Sequence, residues 1–150
     1  MNHQTYIDQA VDLAIQNVRK GGKPFGAAIV KNDTVVATGI NKAVQTGDLT
    51  SHAETEAIRK AGREGKNDQL DGATLYASGH PCPMCLSACY LAGIKEVYYS
   101  GTLDEAKEAG LGVSHIYEEL RKDLSRQKMP LQQLSSTLDS DPIKFWVDTK

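Results

Sequence analysis

The 150-residue sequence carries no excess of charge of either sign: 17 Lys and Arg stand against 19 Asp and Glu, for a formal −2. So even a balance lays down no broad basic field, and nucleic acid is not the expected partner. No stretch is long and apolar enough to cross a bilayer, so no membrane partner is expected. The opening residues, MNHQTYIDQAVDLAIQ, also lack the basic start and apolar run of a secretory signal. Cysteine is scarce and odd in number, at three residues. That count argues against a disulfide framework and fits a reducing compartment, so the expected location is the cytoplasm. There is no internal repeat, low-complexity tract or linker. One domain spanning 1–150 is therefore expected, long enough to bury a core without crosslinks.

What is present reads as alternating elements. Tyr6, Ile7, Ala10, Val11, Ala14, Ile15 and Val18 recur at helical spacing, with Gly21-Gly22 as a stop. PFGAAIV (24–30) and TVVATGI (34–40) flank the polar Lys31-Asn32-Asp33, which predicts a hairpin. A helix is expected over 52–64, a strand over 73–78, a helix from Pro83 to Leu91 and a strand over 95–100. Strand, helix, strand with no room for a hairpin implies a right-handed crossover and parallel pairing. Short helical pieces follow at 104–109 and from about Ser114 to Leu124. A terminal helical tail is expected at about 140–150, with Pro142 in its first turn. The expected class is α/β, a three-layer α/β/α domain around a sheet of mixed strand direction.

Two of the three cysteines stand in PCPMC (81–85). A C-x-x-C pair at a helix start after a strand suits thiol redox chemistry, half of a structural zinc site, or a catalytic metal centre. His52, about thirty positions earlier at the start of its own helix, offers an imidazole to join the two thiolates. Redox chemistry gives His52 and its neighbour Glu54 no task. A structural zinc needs a fourth ligand; Cys89 lies a turn beyond Cys85 and reads as a small buried residue. His3 reads as a terminal solvated side chain, and His115 as surface or helix-start chemistry. Three protein ligands match a catalytic zinc, whose fourth position holds water. Glu54 has a plainer reading too: Ser51-His-Ala-Glu54 fits the capping box S-x-x-E, in which the carboxylate satisfies a backbone N–H. Two residues past a metal ligand, it is also placed to serve the reacting water as acid and base.

His52-Ala53-Glu54 followed by Pro81-Cys82-Pro83-Met84-Cys85 resembles the paired signature of the cytidine-deaminase-like superfamily of zinc deaminases. PFGAAIV, Asn41 and EAGLGVSHIY (108–117) look most like bacterial guanine deaminases. The resemblance implies a five-stranded mixed sheet and one Zn²⁺ per chain held by His52, Cys82 and Cys85. It implies Glu54 as the proton carrier and a small-molecule nucleobase as substrate, guanine first. Substrate contacts would fall to Asn41, Phe25, Gly26 and the backbone N–H of Ala53. Family members are usually dimers, so a homodimer is implied. The chain departs from the pattern where guanine deaminases carry a base-recognising acid, having Gly112-Val113 instead, and His80 stands where Glu is common. His80, Trp146 and Asp148 are therefore added as candidate supporting or substrate residues.

Overall fold

The structure is a computed structural model describing residues 2–150. Two compact units divide the chain, Met1–Glu118 and Glu119–Lys150. In the first, helix α1 (His3–Arg19) starts where the Asn2 side chain accepts from the Thr5 N–H, and it ends at Lys20 before Gly21 turns left-handed. Strands β1 (Gly26–Lys31) and β2 (Thr34–Ile40) form the expected hairpin. Its turn is Asn32-Asp33, with φ of 52° and 57°. Two successive left-handed residues give the primed turn that matches strand twist, and Asn and Asp tolerate that conformation better than other side chains do.

The short α2 (Ala43–Thr46) leads to α3 (Ala53–Arg63), β3 (Thr74–Gly79), α4 (Pro83–Ala92) and β4 (Glu96–Gly101). The strand order is β2-β1-β3-β4, with β1 antiparallel to both neighbours and β3 parallel to β4. The antiparallel hairpin and parallel crossover follow the sequence reading. The strand count does not. Five strands were implied, and among the described residues the sheet has four. After β4 the Thr102 side chain caps α5 (Leu103–Glu108), accepting from the Glu105 N–H, and sends the chain into helix. The glycine-broken stretch at 110–113 then runs straight into α6 (Ser114–Leu120), with no alternating apolar run to add a strand.

Side-chain alternation along the strands divides the core in two. Ile29, Leu75 and Ala77 face Ala57 and Ala61 of α3 and Cys89 of α4. Val30 and Tyr76, one residue out of phase, face Ala10, Tyr6 and Ile7 of α1. Both sheet faces are therefore covered, which is the three-layer arrangement expected. The second unit holds the end of α6, a 3₁₀ turn at Leu124–Arg126 and α7 (Pro142–Asp148), capped by Asp141. None of its described residues is buried.

Candidate metal centre and catalytic cleft

The sheet presents two helix starts to the same place. Helix α3 begins at Ala53, which makes His52 its N-cap in extended conformation. Here the helix start sits one residue later than the S-x-x-E reading requires. The capping bond is made by Thr55, whose Oγ1 accepts from the His52 N–H at 3.0 Å, while Ser51 Oγ donates to Glu56. Glu54 is thus released from capping. The first turn of α3 lies hard against β2 because position 39 is glycine. A Cβ there would fall 2.6 Å from the Ala57 backbone nitrogen and closer still to the Ala53 carbonyl.

Helix α4 begins the same way, with Cys82 as an extended N-cap, Pro83 in the first helical position and Cys85 at the third. Cys82 Sγ accepts from the Cys85 N–H at 3.5 Å. His52 Nδ1 stands 3.4 Å from both Cys82 Sγ and Cys85 Sγ. Tetrahedral zinc with ordinary Zn–S and Zn–N lengths puts sulfur and nitrogen about 3.5 Å apart, so both nitrogen–sulfur spacings are already those of a metal shell. The electrostatics agree. A hydrogen bond from the Cys85 thiol, with His52 adding to it, draws Cys82 down to about 4, and Cys85 is pushed up as the holder of the shared proton. A divalent cation in the position of that proton suits both sulfurs. Among the described residues this is the one cluster of three His, Cys, Asp or Glu side chains close enough to hold a metal. Cys89 does not join it: burial in the core raises its thiol to about 12.

Glu54 sits on the same first turn as His52, only 6% exposed. Burial pushes its carboxyl above the ordinary range. His52, Glu54 and Cys82 line a cleft of about 500 Å³. Asn41 and Phe25 line it as well. Asn41 is buried and held: its Oδ1 accepts from Ala43 N at 3.0 Å, and its carbonyl from Asn17 Nδ2 at 2.8 Å. The Phe25 ring lies over Gly79.

Gly26 is placed elsewhere. A side chain there would strike the backbone of Ala10 and Ala14, so this glycine seats α1 on the sheet and does not line the cleft. Ala53 is fully buried beneath the site; as the first residue of α3 its N–H lies outside the helical ladder. His80 lines the cleft, its ring 4.5 Å from Tyr99 and edge-on to Tyr117. His80 Nδ1 lies 2.9 Å from the Pro81 carbonyl. Because a carbonyl only accepts, Nδ1 carries the proton. The Tyr117 hydroxyl donates to the same carbonyl, so the residue before Cys82 is held from two sides. Trp146 and Asp148 lie on α7 in the second unit, both exposed there.

The sequence reading missed most of the facing wall. Thr102, Glu105, Ala106 and Ala109 line the cleft at helical spacing along α5, followed by Leu111, Gly112 and Val113, and Lys23 joins from the strand side. The available signal was Thr102-x-x-Glu105, a capping box that marks the start of α5.

Comparison with known proteins agrees with this geometry. Residues 1–101 match the cytidine and deoxycytidylate deaminase zinc-binding region. The guanine deaminase of Bacillus subtilis is 43% identical over 147 residues, covering 97% of this chain and 94% of that protein. Its X-ray structure superposes with a TM-score of 0.88 over 99% of this chain and 95% of the other. A tRNA-specific adenosine deaminase of Aquifex aeolicus is 31% identical over 140 residues, 92% of each chain.

Proposed function

The chain belongs to the cytidine and deoxycytidylate deaminase zinc-binding family, and from that premise we propose that it hydrolyses guanine to xanthine and ammonia. The observation that carries the reading is the meeting of His52, Cys82 and Cys85 at metal-ligand spacing with the buried Glu54 on the wall of the same cleft. Guanine is favoured over an adenosine in tRNA by the 43% identity to the Bacillus subtilis enzyme across nearly both whole chains. The near-neutral charge balance, which offers no field for a folded polyanion, points the same way.

His52 Nδ1 and the two thiolates would hold Zn²⁺, which when bound lowers the pKa of water at its open position and makes that water a nucleophile at neutral pH. Glu54 then does the proton work. Its carboxylate takes a proton from the water that attacks the ring carbon bearing the amine, and delivers it to the adjacent ring nitrogen. A second proton passes through the same carboxyl to the departing amine, so water and the aminated ring become the carbonyl compound and ammonia. Burial suits Glu54 to this, because a carboxylate raised above its usual range holds a proton more strongly than an ordinary one and so takes it more readily from water. Asn41, fixed by its own hydrogen bonds, presents its amide to the edge of the base, and Phe25 packs on the ring. The Ala53 N–H completes the polar contacts in this reading.

The proposal takes residues 1–150 as one deaminase-type domain with a helical tail at about 140–150, acting in the cytoplasm as a homodimer. Three free cysteines support the location, and among the described residues no helix is long and apolar enough to cross a membrane. Tyr90 and Leu91 of α4, 81% and 91% exposed, are the kind of apolar surface that a subunit contact would cover. The test is ammonia release across guanine, cytosine, adenine and their nucleosides with the zinc-loaded protein. Guanine is expected to lead, and turnover of another ring with guanine untouched would overturn the substrate.

A further inference from the structure

Two carboxylates line the cleft, Glu54 beside the metal cluster and Glu105 on α5. The second, on the exposed face of α5, is held by that helix's capping box. Thr102 donates to a single oxygen, Glu105 Oε1, from its backbone N–H at 3.2 Å and from its hydroxyl at 3.1 Å. Among the described residues Oε2 has no hydrogen bond, and Glu105 has no ion-pair partner. The carboxylate is therefore fixed in direction by one oxygen and free to accept with the other. Its neighbours on the cleft face, Ala106 and Ala109, are too short to shield it.

Resting on the guanine reading above, we propose that Glu105 is a specificity-determining residue that accepts the imidazole-ring N–H of a free purine base. With the aminated carbon at the metal side, the five-membered ring of a purine extends away from Glu54 into the remainder of the cleft. That ring carries an N–H only when no sugar is attached. A 500 Å³ cleft is large enough that volume alone does not exclude a nucleoside. A fixed anionic acceptor supplies the selection: it gains a charge-assisted bond from the free base and gains none from a substituted nitrogen.

The experiment compares kcat/KM for guanine and 9-methylguanine in the zinc-loaded parent, Glu105→Gln and Glu105→Ala. Glu105→Gln keeps an oxygen for Thr102, so the cap of α5 survives if the alanine variant folds poorly. The parent is expected to favour guanine by roughly 10- to 100-fold, the range of a hydrogen bond to a charged group. Both variants are expected to lose most of that preference through guanine alone, with 9-methylguanine changing less than about threefold. Equal losses on the two substrates, or an unchanged preference, would show a merely structural Glu105 and overturn the assignment. A parent that does not discriminate also overturns it. A parent that deaminates other rings but not guanine would instead defeat the guanine reading, and the Glu105 assignment with it.

Discussion

On one side of the cleft, His52, Glu54 and Cys82 stand on the first turns of α3 and α4, with Ala53, Ala57 and Cys85 fully buried beneath them. On the other, Thr102, Glu105 and Val113 stand on a six-residue helix and the glycine-bearing stretch behind it, and none of α5 is buried. The metal side is clamped from several directions: Gly39 lets β2 touch the backbone of α3, Pro83 sets the start of α4, and the sheet lies under both. The facing wall leans on one capping box. Chemistry that needs three ligand atoms within tenths of an ångström sits where the core over-determines the backbone. Recognition of the substrate's far end sits where a side chain can change without disturbing that core.

The sharpest break in this contrast is removal of a metal ligand. Cys85→Ala is expected to leave zinc content well below one per chain and to abolish turnover, and metal analysis of the purified variant checks it. A fully loaded Cys85→Ala would mean that the cluster binds by other atoms. Asn41→Ala tests the substrate-facing end of the same buried framework. A fall in kcat/KM of roughly 10- to 100-fold at unchanged zinc is expected, the range of losing a fixed polar contact in a desolvated site. Unaltered kinetics would remove Asn41 from the base's edge.

Gly39→Ala addresses the clamp itself. Forcing a methyl group against the backbone of α3 is expected to cost about 1–3 kcal/mol. That corresponds to a drop of several degrees in Tm for a chain of this size. An alanine here that leaves Tm unchanged would show that the approach of α3 to β2 has slack.

The same contrast explains what could be read from the sequence. His52, Glu54 and the PCPMC run were legible because metal chemistry demands particular residue types at particular spacing, and each marks a helix start. The hairpin was legible from two apolar runs around Asn32-Asp33, and the parallel crossover from the length between β3 and β4. The plainer S-x-x-E reading of Ser51 and Glu54 gives way to the acid–base one, because Thr55, equally suited by its hydroxyl, takes the capping part. Gly26 looked like a loop residue beside Phe25; only the approach of α1 shows that it is a packing glycine. The fifth strand came from resemblance and not from any apolar alternation after residue 101. The α5 wall went unread because Thr102, Glu105 and Ala106 carry no signature of their own; their shared face appears only when β4 has placed the helix across from α3.

The most direct test of the central claim is ammonia release from guanine by Glu54→Gln at a verified one zinc per chain. The account predicts a loss of at least about 10²-fold relative to the parent, since an amide of the same size fills the site but cannot carry protons. Turnover at the parental rate with the metal in place would contradict it.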